Sequence, residues 1–101
     1  MPKKLSEVSE RFLADVPDDK VFWVHDGGSL KNLRELGEAL NAMPDEIFGY
    51  HSNLDKKDFS NWVRDVITDE KLARDLEKSK TRLQAARTVE RRLANLTKQV
   101  A

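Results

Sequence analysis

Two histidines carry the first chemistry this chain could offer. His25 is followed directly by Asp26, and His51 lies 26 residues further on. An imidazole beside a carboxylate can act as a general base or a metal ligand. His25, Asp26 and His51 would form an open metal site only if the fold brought them together. Spacing alone does not do that, so the three residues are a candidate polar site. The plainer reading places His25 at a turn and His51 capping or packing at a helix end. No phosphate loop, dinucleotide glycine motif, nucleophile elbow or Cys/His zinc pattern occurs. The paired carboxylates Asp18-Asp19, Asp45-Glu46 and Asp69-Glu70 fall at expected helix starts or loops, where capping and the helix dipole account for them. Catalytic residues, metal ligands and cofactors are therefore not indicated, and the chain reads as non-enzymatic.

The stronger signal is charge. Residues 1–70 hold 9 Lys+Arg and 15 Asp+Glu, a net of −6, whereas residues 71–101 hold 9 and 3, a net of +6. Such asymmetry favours an electrostatic contact. Either the basic end rests on its own acidic body or it meets an acidic partner. Lys78, Lys80, Arg82, Arg87, Arg91, Arg92 and Lys98 spread around an expected helix, away from its apolar seam. Lys80, Arg82, Arg87, Arg91 and Arg92, with Leu93 and Leu96, form the candidate partner-binding set. No aromatic residue lies in this stretch to stack on bases, so a nucleic acid would be held by its phosphates alone.

The elements that must position these residues read as follows. The 101 residues argue for one domain with one modest core. There are no cysteines, and the longest apolar runs span four residues, so neither disulfides nor a membrane span is expected. A cytoplasmic protein is the default. Residues 5–16 predict a helix capped by Ser6, with Leu5, Val8, Phe12 and Val16 on one side, ended by Pro17. Residues 20–31 predict a β-hairpin, with Trp23 facing inward and Asp26-Gly27 in a turn needing positive φ at both positions. Asn32 to Glu35 is a capping box for a helix over 33–43, with Leu33, Leu36, Leu40 and Met43 buried. Gly37 inside it suggests close approach of another backbone, the hairpin being the candidate.

A helix over 44–51 is the preferred reading there, a strand over 47–51 the alternative. After a polar loop, Asp58 is expected to cap a helix carrying Phe59, Trp62, Val63, Val66 and Ile67 at full helical spacing. Phe48, Phe59 and Trp62 read as core. Thr68 is expected to cap one last helix of about 28 residues, roughly 40 Å long. Along it, Leu72, Leu76, Ser79, Leu83 and Ala86, then Val89, Leu93, Leu96 and Val100, resemble a coiled-coil seam with an interruption. Leu93, Leu96 and Val100 then need either a partner helix or the first helix folded back on them.

The segments Phe22 to Gly27, Asn32 to Leu36, Phe48 with His51, and Asp58 to Trp62 together resemble an uncharacterised family of small prokaryotic proteins, frequent in archaea. Its pattern is an aromatic strand, an Asp-Gly turn, Asn-Leu-x-Glu-Leu, Phe-x-x-His and Asp-Phe-x-x-Trp. The resemblance covers residues 20–76. It implies a domain of unknown function, with a fold unit but no activity and no catalytic residues to carry over.

The sequence thus predicts an α+β fold, predominantly helical: one β-hairpin on four or five helices and a long C-terminal helix. Residues 1–19 would form an N-terminal helix and linker, 20–76 the hairpin-plus-helices core, and 77–101 an extension of the basic helix. The expected role is an interaction module using that helix for a protein partner or self-association, so that cutting after Lys78 would abolish association. The alternative is a nucleic-acid-associated protein using the same helix. No small-molecule substrate and no membrane partner are indicated.

Overall fold

In the computed structural model, residues 2–100 are described, with side chains from residue 7 onward. The fold is α+β and predominantly helical, with six helices, one two-stranded antiparallel hairpin and a long C-terminal helix. In order these are α1 (Pro2–Leu13), β1 (Phe22–Trp23), β2 (Ser29–Leu30), α2 (Leu33–Ala42), α3 (Asp45–His51), α4 (Asp58–Trp62), α5 (Glu70–Glu77) and α6 (Arg82–Val100). A π-type turn, Val63–Ile67, continues α4. Among the described residues no helix is long and apolar enough to cross a membrane.

The first helix begins before Ser6, so Ser6 is not its cap, and it ends at Leu13, leaving the half-buried Val16 in the connection that follows. Leu5, expected on its apolar side, has its side chain outside the described residues. Val16 is held by its backbone, whose N–H donates to the Lys31 carbonyl at 2.7 Å.

The hairpin is shorter than expected, and its inner face is the opposite one. Phe22 pairs with Leu30 and Trp23 with Ser29. Phe22, Val24 and Leu30 are buried, while Trp23 is 68% exposed. Strand side chains alternate, so a single position of register separates the two outcomes. Phe22 meets Phe59 at a ring separation of 5.0 Å and Trp62 at 5.9 Å. Those two aromatic rings choose the face. The turn also differs from the expected one. Gly27 N–H closes it onto the Val24 carbonyl at 2.8 Å, and Gly27, with φ of 107°, takes the only positive φ in the turn. Asp26 stays in ordinary backbone space and accepts from the Gly28 N–H at 3.2 Å.

The capping box at the start of α2 is present. Asn32 Oδ1 accepts from Glu35 N–H at 2.8 Å, and the Glu35 carboxylate reaches back to the Lys31 N–H at 2.9 Å. Leu33, Leu36, Leu40 and Met43 are buried as the spacing requires. Gly37 makes its close approach to α6 rather than to the hairpin. A Cβ there would lie 3.3 Å from Val89 Cγ1 and 3.6 Å from Leu93 Cδ1. Residues 45–51 are helical.

The larger departure from the sequence reading lies beyond Asp58. Lys57, not Asp58, stands at the cap position of α4, and Asp58 turns its carboxylate to His51 instead. Phe59, Trp62, Val63 and Ile67 are buried, with Val66 half-buried against them. The helix then widens by one residue, Thr68 N–H reaching back five positions to Val63 O at 2.7 Å. Thr68 adopts φ 72°, ψ 22° and ends the turn rather than capping the next helix. Asp69 supplies that cap, accepting from Leu72 N–H at 3.2 Å.

What reads as one 28-residue helix is two. The chain leaves α5 after Glu77 and starts α6 at Arg82. Thr81 Oγ1 accepts from Gln84 N–H at 3.1 Å, and Gln84 Oε1 accepts from Lys80 N–H at 2.8 Å. This is a second capping box, Thr81-Arg82-Leu83-Gln84, with the same geometry as the one at Asn32. The fold-back lays α6 against both α2 and α1. Ala85, Ala86, Val89 and Leu96 are buried in that contact, and Leu93 is half-buried. Of the two expected fates for the end of the seam, the fold-back against α1 and α2 covers Leu93 and Leu96, while Val100 stays exposed. Fully buried Ser9 on α1 hydrogen-bonds Gln99 on α6.

Candidate functional site: a cationic cleft between α5 and α6

Folding α6 back on α5 creates a cleft of about 990 Å³. Lys71, Asp75, Lys78 and Ser79 line it from α5 and its C-terminal end. Gln84, Arg87, Thr88, Glu90, Arg91, Arg92, Ala94 and Asn95 line it from α6. Helical spacing accounts for the rows. Arg87 and Arg91 are four residues apart and so share a face. Lys71 and Lys78 are seven apart, two turns along a common face. Ser79 and Thr88 bridge the two arms through their hydroxyls at 3.3 Å.

The charges in the cleft are not equally free. Lys71 pairs with Asp75 at 3.2 Å. The Glu90 carboxylate accepts from Asn41 Nδ2. Arg92 is committed to Asp69, with Nε 2.7 Å and Nη2 3.1 Å from its two carboxylate oxygens. Lys78, Arg87 and Arg91 are exposed, and none has a carboxylate within ion-pair distance among the described residues. Three unpaired cations therefore converge on one concavity that has no aromatic lining.

The expected partner-binding residues divide under this geometry. Arg87, Arg91 and Arg92 line the cleft. Arg82 is bound to the chain itself. Its Nε is 2.8 Å from Asp45, and its Nη1 donates to the Leu40 and Asn41 carbonyls at 2.9 and 3.0 Å. Leu96 is 1% exposed and Leu93 half-buried, so both serve the α1–α2–α6 interface. Lys80 is exposed in the connection before α6. Lys71 belongs to the cleft but was not expected there, because a continuous helix would carry it far from Arg91. The Thr81-x-x-Gln84 box was the signal that could have revealed the bend.

The polar site of His25, Asp26 and His51 does assemble, though not as three converging side chains. His51 is 4% exposed, with Nε2 accepting from the His25 backbone N–H at 3.0 Å. Its Nδ1 lies 3.0 Å from Asp58 Oδ2. The His25 ring stacks on Tyr50 at 3.8 Å, and Asp26 is spent on the turn. Both nitrogens of His51 are thus engaged within the chain. Among the described residues no three His, Asp or Glu side chains group as a metal site.

On the far side of α4, Arg64 bridges Glu77 at 2.7 Å and Glu70 at 3.4 Å. The hydrogen bond from Arg64 holds the Glu77 carboxyl below its ordinary value of 4.5. The same contact raises the Arg64 guanidinium.

No family model matches this chain. No curated protein and no solved structure matches it either.

Proposed function

We propose that this protein is a non-enzymatic binding module that receives an acidic polypeptide segment in the α5–α6 cleft. The observation that carries the reading is the convergence of Lys78, Arg87 and Arg91 on one groove without carboxylate partners. The apolar face of α6 is covered by α1 and α2 from Ala85 to Leu96, leaving only Leu83 and Val100 at its ends exposed, so the helix offers chiefly a charged surface. Self-association through Leu93 and Leu96 is therefore replaced by binding through the opposite, cationic face.

Two features favour a polypeptide over a nucleic acid. The chain as a whole has no net charge, whereas nucleic-acid-binding domains carry a basic excess. The cleft also lacks an aromatic surface on which bases could stack.

The test is a titration of a fluorescent glutamate-rich peptide and of a short DNA duplex, each at low and moderate salt. Peptide binding that falls about tenfold or more in the Arg87→Glu/Arg91→Glu variant, with its circular dichroism unchanged, supports the reading. Tighter binding of the duplex, with a steep loss between about 50 and 200 mM salt, replaces it with the nucleic-acid alternative. Binding of neither ligand overturns both.

A further inference from the structure

His51 sits where three parts of the fold meet. It is the last residue of α3, it faces Asp58 at the start of α4, and it holds the hairpin turn through the His25 N–H. Its ring lies against Phe22 at 5.0 Å, Phe59 at 5.2 Å and Tyr50 at 5.0 Å. The backbone N–H of His25 can only donate. Nε2 of His51 must then carry a lone pair, which places the single ring proton on Nδ1, facing Asp58. The observed geometry requires the neutral imidazole in that one tautomer.

We propose that His51 is a protonation-operated latch on the hairpin turn. A second proton has only Nε2 to occupy, and there it meets the His25 N–H donor against donor. On the other side of the ring, the Asp58 carboxylate gains a full ion pair with the imidazolium. Protonation thus strengthens the tie to α4 and breaks the tie to the turn.

The charged surroundings are few. From the 52–57 loop, Lys56 Nζ lies 3.4 Å from Asp58 and 3.9 Å from the Tyr50 ring centre. From the turn come Asp26, engaged with Gly28, and the His25 ring, stacked on Tyr50. β1 and α4 otherwise present the apolar rings of Phe22 and Phe59. The strands pair over only two residues each, and the bonds between Val24 and Gly27 or Gly28 lie within the turn itself, so the turn is tied to the helices by this contact, the His25–Tyr50 stack, the Trp62 Nε1 bond to the Lys20 carbonyl and the burial of Phe22, Val24 and Leu30. Loss of one tie therefore opens a local segment while the helical body stays folded.

The experiment uses the full chain labelled with ¹⁵N and followed by NMR from about pH 8 to about pH 5, the range in which histidines commonly titrate. At the alkaline end, imidazole correlation spectra are expected to show His51 protonated on Nδ1. As His51 titrates, the hydrogen-exchange protection factor of the His25 amide is expected to fall about tenfold or more. Amides of Leu36 and Val89 keep theirs. His25→Gln should retain the transition, because only the backbone N–H of that residue takes part. A proton on Nε2 at alkaline pH overturns the proposal. So does His25 protection that stays constant through the His51 titration, or a loss shared equally by α2 and α6.

Discussion

Arg92 of α6 grips Asp69 at the start of α5 through two hydrogen bonds, 2.7 and 3.1 Å long, and the carboxylate it grips is 1% exposed. The same Asp69 side chain caps α5 by accepting from Leu72 N–H. One buried group therefore fixes both the start of one helix and the angle at which the other returns. Removing it strands the Arg92 guanidinium and the free N–H together. Asp69→Ala is expected to cost about 3 kcal/mol, a fall in Tm on the order of 15 °C. Asp69→Asn, which can still cap, should cost less. Thermal denaturation of the two variants, monitored by circular dichroism, separates the contributions of ion pair and cap.

Thr68 is a β-branched residue held at φ 72°, a region that disfavours any side chain with a Cβ. It is exposed, so nothing in the core requires its side chain. Thr68→Gly is expected to raise stability by about 0.5 kcal/mol, the relief of backbone strain exceeding the added freedom of the unfolded chain. Urea denaturation should show a higher midpoint with an unchanged slope.

Gly37 lies where α2 crosses α6, and its missing Cβ makes room for Val89 and Leu93. Alanine there gains about 1 kcal/mol of helix propensity. Against that gain stands the 3.3 Å approach to a Val89 methyl that is fully buried and stiff at χ1. Overpacking costs about 1 to 3 kcal/mol. Gly37→Ala is expected to destabilise by about 1 kcal/mol net. The double variant Gly37→Ala/Val89→Ala should show a favourable coupling in a mutant cycle.

Glu77 is held by Arg64 with a carboxyl shifted below 4.5. A carboxyl depressed in the folded state contributes stability that is present above the unfolded value and lost as the pH falls through the folded one. Glu77 is exposed and Arg64 only half-buried, so the contribution is small and screened by salt. Wild type should lose stability more steeply than Glu77→Gln on acidification below about pH 4.5, and added salt should narrow the difference. Parallel acid titration of the two proteins by intrinsic tryptophan fluorescence checks this.

Cutting the chain after Lys78 removes more than a binding surface. α6 supplies Ala85, Ala86, Val89 and Leu96 to the core and covers faces of α1 and α2. The truncated chain is expected to unfold, read as lost near-ultraviolet circular dichroism. The cleft is therefore better tested by charge reversal at Arg87 and Arg91, whose side chains are exposed.

The sequence by itself determined the elements whose evidence is local. The Asn32 box, the leucine stripe of α2 and the Phe59 to Ile67 stripe follow from backbone N–H groups needing acceptors and from helical spacing of apolar side chains. The Thr81 to Gln84 box is equally local and was legible too, but the apolar spacing running through it suggests one continuous helix. Three things were left to the tertiary structure. Trp23 or Phe22 could each have faced inward, since both are aromatic. The rings of Phe59 and Trp62, over thirty residues away, made the choice. Asp58 could have capped its own helix, but a buried imidazole with a proton to donate was the stronger partner. Finally, Lys71, Lys78, Arg87 and Arg91 are a spread of charges along the chain and become a cleft only when α6 turns back. The Thr81–Gln84 box starts α6 afresh, but the angle of its return is held by Asp69 and Arg92, whose pairing across 23 residues no local pattern records. Charge asymmetry was visible in the composition, but its geometry depends on which cations the fold neutralises and which it leaves free.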